Sequence, residues 1–256
     1  MNYRTIRVRY QEPVCYLQFY RPEDNNSINE LMIEECTHVM SRCEDSISVV
    51  VLEGLPDYFC FGADFQAIHG KFAGGQPIEH DPEPLYDLWL KLATGPYITI
   101  SHVRGKANAG GIGFVSASDI VLADETAQFS LSELLFGLYP ACVLPFLIRR
   151  TGFQKAHYMS LMTQPISVQE AYRWGLVDAY DARSDSLLRK HLLRLRRLPK
   201  TGIAKYKQFL GELQDSILKF KSLAVAGNRE AFLDPANLKR IYHFVETGSL
   251  LADKDA

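Results

Sequence analysis

Two glycine-bearing turns are the segments of this chain best suited to chemistry. They are residues 59–64, which read FCFGAD, and residues 105–113, which read GKANAGGIG. Each turn ends an apolar, strand-like run and opens a helix-like one, so each can present unpaired backbone N–H groups to a ligand. Binding one carbonyl oxygen between two donors requires N–H groups from two separate loops, and Ala63 and Gly110 supply them. The pattern indicates an oxyanion hole, with Cys60, Gly62, Asp64, Gly111 and Gly113 as expected substrate-binding neighbours.

One carboxylate is well placed to move a proton. Glu133 lies in residues 129–140, FSLSELLFGLYP, which are otherwise apolar enough to form a pocket wall. Partial desolvation there would raise the pKa of the carboxyl toward neutrality, which suits an acid/base group. The spacing from Ser130 to Glu133 is also that of a capping box, in which the glutamate would only satisfy the Ser130 N–H. From the residues alone, both roles remain open.

Three more groups near the first turn each have a structural and a chemical interpretation. Asp64 either stabilises its turn through an Asx-type hydrogen bond or orients a bound water. His69 is either a simple surface residue or a group that holds a substrate carboxylate. Cys60 neighbours the site, but no histidine lies in a motif that would activate it, so an acyl-enzyme is not expected.

The elements that must position these groups alternate along the chain. Residues 4–10 and 14–20 alternate apolar and polar side chains, which predicts a strand pair, and residues 29–45 have helical spacing. The further runs predicted as strands are residues 48–53, 97–103 and 120–122. Alternating strands and helices favour a wound α/β core.

Two segments outside this core each have two possible roles. Residues 70–84 are rich in Gly and Pro and predict a loop, which either covers the pocket or is a surface connection. Residues 185–222 are helix-like, and from Arg189 to Lys207 the chain has eight Lys/Arg and no acidic residue. That run is either a solvated helix face or a docking surface for an acidic partner.

We expect residues 1–180 to form the catalytic core and residues 181–256 a C-terminal helical region of the same domain.

Composition excludes several classes of function. The 256 residues are 47% hydrophobic and carry a net charge of −2, so nothing global attracts nucleic acid or an anionic membrane. The five cysteines are odd in number and widely spaced, which favours reduced thiols over a disulfide framework or a zinc site. No signal peptide or transmembrane run is evident, and a cytoplasmic location is expected.

Taken together, the two turns and their surroundings resemble the crotonase (enoyl-CoA hydratase/isomerase) superfamily. The other matching stretches are residues 20–27 (YRPEDNNS), 119–123 (DIVLA), 127–129 (AQF) and 169–177 (QEAYRWGLV). Within the superfamily, the chain is most similar to the dehydratases of polyketide β-branching. The resemblance implies a crotonase-like α/β spiral of ββα units with a C-terminal helical region that serves oligomerisation and covers the site, and it implies a homotrimer.

The same resemblance implies a reaction and a division of roles. Glu133 would be the acid/base, and Ala63 and Gly110 would bind the thioester oxygen. The substrate would be 3-hydroxy-3-methylglutaryl on an acyl carrier protein and the product 3-methylglutaconyl. The phosphopantetheine or CoA arm belongs to the substrate, and no metal or other cofactor is expected.

The chain departs from the family pattern at two places. Family hydratases commonly use two glutamates, and here the first of those positions is Gly113 while the second is Glu133. Residues 140–145, PACVLP, stand where relatives often have a Pro-Gly-x-Gly stretch, which puts substrate choice in doubt.

These departures leave alternatives. An enoyl-CoA hydratase of acyl-CoA metabolism would be expected to show the missing glutamate, whereas a double-bond isomerase works with one carboxylate. A decarboxylase of the same pathways would need cationic groups near the substrate carboxylate, and no convincing Lys/His pair is evident. The retention of Glu133 with both turns argues against a non-catalytic binding module.

Overall fold

A computed structural model describes residues 3–73, 80–213 and 215–251. Its strands are β1 (Ile6–Gln11), β2 (Val14–Phe19), β3 (Val49–Glu53), β4 (Tyr58–Cys60), β5 (Ile98–Val103), β6 (Lys106–Asn108), β7 (Ile120–Asp124), β8 (Gln128–Ser130), β9 (Ile166–Ser167) and β10 (Ala179–Asp181). Its α-helices are α1 (Glu30–Arg42), α2 (Phe65–Ala73), α3 (Glu83–Thr94), α4 (Gly110–Ala117), α5 (Leu144–Thr151), α6 (Phe153–Met162), α7 (Val168–Arg173), α8 (Ser184–Leu195), α9 (Lys200–Leu213), α10 (Ser216–Lys219), α11 (Lys221–Leu233) and α12 (Pro235–Thr247).

The described strands form two sheets. The larger sheet has the order β1-β2-β3-β5-β7-β10, in which β1 and β2 are antiparallel and the later neighbours are parallel. The smaller sheet has the order β4-β6-β8-β9, in which only β9 runs antiparallel to its neighbour. The strand pair and the three further strands predicted from the sequence are therefore confirmed.

The chain passes between the two sheets in a repeating order. The strands β3, β5 and β7 of the larger sheet are each followed by a strand of the smaller sheet, β4, β6 and β8. Helices α2 and α3 follow β4, and α4 follows β6, before the chain returns to the larger sheet. This is the expected spiral of ββα units. Because β4, β6 and β8 are parallel, the segments that follow them leave the smaller sheet at one edge.

The central strand β3 of the larger sheet is buried on both faces, which explains its continuous apolar run. Along β3, Val50 and Leu52 belong to the main core, whereas Val49 and Val51 face the other way. That second face is covered by α8 through buried side chains that include Leu188. The sheet thus provides a rigid support for the turns at the edge of the smaller sheet.

The predicted C-terminal helical region is present as α8 to α12. Phe232 of α11 and Ile241 of α12 pack in one cluster with Phe136 and Leu138 from the centre of the chain. The strand β10 spans the predicted boundary at residue 180 and pairs with β7, which agrees with one domain, although the division itself stays a prediction. Within the described ranges, none of the helices is long and apolar enough to span a membrane.

The loop predicted at residues 70–84 is shorter than expected at both ends. Helix α2 continues through Gly70 to Ala73, and α3 begins at Glu83. A single glycine does not end a helix, and Pro84 lies in the first turn of α3, where its missing N–H is not needed. The centre of the predicted loop, residues 74–79, lies outside the described residues.

The basic run from Arg189 to Lys207 contains two kinds of cation. Lys207 is buried, and its Nζ lies 2.8 and 2.6 Å from the two carboxylate oxygens of Asp119. Lys200 donates to the Ile47 carbonyl at 2.5 Å. These two lysines hold the C-terminal helices on the core, whereas the other Lys and Arg side chains of the run are exposed.

Candidate active site

The two glycine-bearing turns meet at the edge of the smaller sheet. A Cβ added to Gly62 would lie 2.7 Å from the Cβ of Ala109, and one added to Gly110 would lie 3.7 Å from the Cα of Gly62. Gly62 also has a φ of +94°, a backbone conformation that only glycine adopts without strain. The close approach of the two backbones therefore requires glycine at position 62.

The second turn places the start of helix α4 beside the first turn. Ala109 precedes α4 with φ 49° and ψ −118°, an unfavourable conformation for a residue with a Cβ. Its N–H donates to the Ser130 carbonyl at 3.0 Å, which holds this conformation. Helix α4 then begins at Gly110, so the Gly110 N–H lies at the positive end of the helix dipole.

Neither the Ala63 N–H nor the Gly110 N–H donates a hydrogen bond to any described residue. A bridge to Ile28 holds the first turn: the Ile28 N–H donates to the Gly62 carbonyl at 2.7 Å, and the Asp64 N–H donates to the Ile28 carbonyl at 3.2 Å. In such a parallel bridge, the N–H of the middle residue, Ala63, faces away from the partner strand. The structure thus leaves two amide donors on adjoining turns.

The residues that carry these donors line a cavity of about 1180 Å³. Ala63, Asp64, Gly110 and Glu133 line it. Its volume is somewhat larger than that of most small-molecule sites.

Four of the predicted pocket residues lie behind the cavity wall: Cys60, Gly62, Gly111 and Gly113. A Cβ at Gly111 would lie 2.3 Å from the Cys60 carbonyl oxygen, so helix α4 packs directly on β4. Burial raises the pKa of the Cys60 thiol to about 12, which keeps it protonated and unreactive near neutral pH. These residues shape the site through close packing.

Glu133 is the first residue of a short 3-10 helix, Glu133–Phe136, that follows β8. Its side chain is buried, and burial raises its pKa to about 7, against the lowering effect of its own backbone amide and that of Ser132. Its Oε2 has no hydrogen-bond partner among the described residues. A carboxyl in this state can both accept and return a proton near neutral pH.

The capping-box alternative for Glu133 is wrong. Ser130 is the last residue of β8, and its Oγ donates to Oδ1 of Asn108 at 2.7 Å. The residue that precedes the 3-10 helix is Ser132, whose side chain makes no capping hydrogen bond. The tertiary pairing of β8 overrides the local spacing that suggested a cap.

Sequence reasoning misses Asn108, which joins the parts of the site. Its Nδ2 donates to the Ser132 Oγ at 3.0 Å and, more weakly, to the Phe61 carbonyl at 3.4 Å. Its Oδ1 accepts from Ser130. One buried amide therefore ties the first turn to the residue before Glu133. The available signal was a polar residue next to the glycine-rich turn, at the end of a strand.

Asp64 fixes the first turn. Its Oδ1 accepts from the Ala67 N–H at 3.0 Å, which caps α2, and its Oδ2 pairs with Nη2 of Arg21 at 2.8 Å. Arg21 also donates to the Ser27 carbonyl at 2.5 Å and is a second residue that sequence reasoning misses. The geometry supports the turn-stabilising role, and a role of Asp64 toward bound water stays a prediction.

His69 joins two helices. Its Nε2 lies 3.4 Å from Oε1 of Glu246, and its ring packs edge-on against Tyr242, both on α12. This contact supports the interpretation of His69 as a residue outside the chemistry.

An indole ring lies where the family pattern would place the first of its two glutamates, at position 113. A Cβ at Gly113 would be only 2.2 Å from Cζ2 of Trp89, a residue of α3 that also lines the cavity. Trp89 is held in T-shaped contacts with Phe114 and Phe146. Any longer side chain at position 113 would displace this ring.

The family described as Enoyl-CoA hydratase/isomerase matches residues 9–250. The chain is 64% identical to the bacillaene synthase dehydratase PksH of Bacillus subtilis, over 97% of this chain and 96% of that one. It is 30% identical to a probable enoyl-CoA hydratase of Rhodobacter capsulatus, over 69% of this chain and 68% of that one.

Solved structures agree with the fold. A crystal structure of the Bacillus subtilis pksH protein, described as a polyketide biosynthesis enoyl-CoA hydratase, superposes with a TM-score of 0.96 at 64% identity. The superposition covers 98% of this chain and 100% of that one. An enoyl-CoA hydratase from Bacillus halodurans has a TM-score of 0.83 at 18% identity, covers 94% and 100% of the two chains, and supports the fold alone.

The raised pKa of Glu133 predicts how stability depends on pH. Its folded-state pKa of about 7 exceeds the ordinary value of 4.5, so between these values the folded chain holds a proton that the unfolded chain has released. The stability of the parent relative to Glu133→Gln should therefore fall as the pH rises through this window, by on the order of 3 kcal/mol. Denaturant unfolding at pH 5 and pH 8 measures the difference. The exposed Glu125→Gln is the control, and an equal difference at both pH values would contradict the assigned burial of Glu133.

Proposed function

The chain belongs to the enoyl-CoA hydratase/isomerase family, and on this premise we propose that it is a dehydratase of polyketide biosynthesis. It is an enzyme of the hydro-lyase class that removes water from a 3-hydroxyacyl thioester on a carrier protein. We propose 3-hydroxy-3-methylglutaryl as the acyl group and 3-methylglutaconyl as the product. The observation that carries this proposal is a buried carboxyl, Glu133, lining the same cavity as the unpaired amides of Ala63 and Gly110.

The mechanism follows from three groups. The thioester oxygen accepts hydrogen bonds from the Ala63 and Gly110 amides, which stabilise the negative charge as an enolate forms. Glu133, as the carboxylate, takes the proton from the α-carbon. The enolate then expels the 3-hydroxyl group, which leaves as water with the proton that Glu133 returns. The carboxylate is thereby regenerated.

The cavity environment suits this cycle. A carboxyl with a pKa near 7 is a stronger base than an exposed glutamate and still populates its ionised form at neutral pH. The phosphopantetheine or CoA arm belongs to the substrate. No step needs a metal or a redox cofactor, and their absence from the reaction is part of the proposal.

A double-bond isomerase would use the same groups, so the product must separate the two functions. Incubation with 3-hydroxy-3-methylglutaryl carrier protein, followed by intact mass measurement, should show the loss of one water per carrier. An unchanged mass, with enoyl substrates interconverted instead, would favour the isomerase.

The central assignment is tested at Glu133. We expect Glu133→Gln to fold but to lower the dehydration rate by roughly 10²–10⁴, because an amide cannot accept the α-proton. Circular dichroism checks the fold, and the exposed Glu125→Gln serves as the matched control. Near-normal turnover by a folded Glu133→Gln protein would remove this residue from the mechanism.

The carrier protein is proposed to dock on exposed positive charge. Arg194, Arg196 and Arg197 lie at and just after the end of α8 and are exposed. Arg4 and Lys106 are also exposed and line the cavity itself. Carrier proteins are typically acidic, so such charge would speed encounter more than it strengthens binding.

Charge-reversal variants determine which of these two surfaces binds the carrier protein. If α8 is the docking surface, reversing Arg194, Arg196 and Arg197 to Glu should slow carrier-bound turnover by about tenfold at low salt, with less effect as salt is added. Turnover of a pantetheine thioester should be unchanged, which excludes general damage. Slowing by Arg4→Glu with Lys106→Glu, and not by the α8 variant, would move the docking site to the cavity rim.

A homotrimer is proposed for the assembled enzyme. Large apolar side chains are exposed on α6 and on the helices from α9 to α11, and burial of such side chains favours contact between subunits. They include Phe153, Tyr158, Leu161, Tyr206, Phe209, Leu213, Leu218 and Leu223. Light scattering should give three times the chain mass, and Phe209→Glu with Leu213→Glu should lower it. A monomeric parent would refute the trimer.

A further inference from the structure

The indole N–H of Trp89 has no acceptor among the described residues. Trp89 is 1% exposed, and its Nε1 is buried. An indole nitrogen is a donor only, and buried donors in folded proteins are nearly always paired. Since Trp89 lines the cavity, a ligand can supply the missing acceptor.

The N–H lies beside the oxyanion donors. Cζ2 of Trp89 is 4.0 Å from the position of a Cβ on Gly110, and Cε2 is 2.5 Å from that of a Cβ on Gly113. Nε1 is bonded to Cε2, and its hydrogen lies on the same edge of the ring as that of Cζ2. The benzo ring next to Nε1 therefore packs with its face on Gly113, in the first turn of α4, where the Gly110 amide begins the helix.

The ring is also held in one orientation. Its centroid lies 5.9 Å from that of Phe114 and 5.8 Å from that of Phe146, both close to perpendicular. Gly113 leaves the space that the ring occupies. A donor fixed in this way keeps its direction as the reaction proceeds, and fixed donors stabilise charge that develops in the transition state.

We propose that Trp89 donates a hydrogen bond from Nε1 to the 3-hydroxyl oxygen of the substrate and holds it as the leaving group. This inference rests on the proposed dehydration. The thioester oxygen already has two donors in Ala63 and Gly110, and an indole cannot accept the α-proton. The 3-hydroxyl is carried on the second carbon from the thioester carbon, so it is the next oxygen in reach of a donor beside Gly110. A carboxylate at the far end of the acyl group lies further along the chain.

The step balances with one mobile proton. Glu133 takes the proton from the α-carbon, and the electron pair of that C–H bond becomes the new carbon–carbon double bond. The bond from the β-carbon to oxygen breaks, and its electron pair leaves with the oxygen. The indole hydrogen bond strengthens as this oxygen gains charge, and Glu133 returns its proton to give water. Trp89 keeps its own hydrogen throughout.

The sharpest variant replaces Trp89 with 3-benzothienylalanine, which keeps the fused ring and exchanges the N–H for sulfur. We expect kcat to fall by about 10- to 10²-fold with a small change in KM, because the lost bond is strongest in the transition state. The chain has one other tryptophan, Trp174, and the same replacement there is the matched control. Trp89→Phe is a second variant that removes the donor. Wild-type kcat in the folded benzothienyl variant would overturn the inference.

The NMR chemical shift of the Trp89 indole proton distinguishes a hydrogen bond to the substrate hydroxyl from a role in packing alone. In the Glu133→Gln background, the two ¹⁵N-indole signals are assigned with Trp174→Phe. Saturating 3-hydroxy-3-methylglutaryl-pantetheine should move the Trp89 indole proton downfield, whereas 3-methylglutaryl-pantetheine, which lacks the hydroxyl, should not. Equal shifts with both thioesters, or none with either bound, would refute the hydroxyl contact. If the unmodified enzyme still forms 3-methylglutaconyl thioester in that case, the proposed function stands and only the role of Trp89 falls.

Discussion

The close contact between two backbone turns is the constraint on which the site depends. β4 and β6 are parallel neighbours, so the chain leaves both strands at one edge and must turn there twice within a few ångströms. A side chain at position 62 would meet Ala109 and force the turns apart, and Gly62 removes that obstacle. The distance between neighbouring strands thus sets the spacing of the two amide donors. Asn108 bonds both to the first turn, at Phe61, and to Ser132, and so fixes the segment that begins with Glu133 relative to the turns.

The reactivity of Glu133 comes from exclusion of water. The cause of its raised pKa is burial, and the nearby backbone amides act in the opposite direction. An apolar wall therefore accomplishes what a second ionised group accomplishes in sites with paired carboxylates. This explains how the chain can replace a carboxylate at position 113 with a glycine beneath an indole and still present a group that titrates near neutrality.

Sequence patterns were sufficient for the features that repeat locally. Five strands of the larger sheet, the first helix and the two turns could be predicted because apolar periodicity and glycine spacing are properties of short segments. Asn108 and Arg21 could not, since their roles depend on partners as distant as Phe61 and Asp64, which only the folded sheets bring near. The same limitation affected the basic run, in which Lys207 proved to be a buried partner of Asp119. Local spacing was also misleading at Ser130, where strand pairing excluded the cap.

The packing of α12 on the turn after Glu133 has a consequence for biosynthesis of the protein itself. Gly137 leaves no room for a Cβ against Asn237, and Phe136 contacts Phe244, so this helix closes the turn. The ribosome makes α12 long after Glu133. Until it emerges, the cavity lacks Phe244 and Val245, two of the apolar side chains that line it. A half-made chain therefore holds both amide turns and the glutamate before the apolar lining around them is complete.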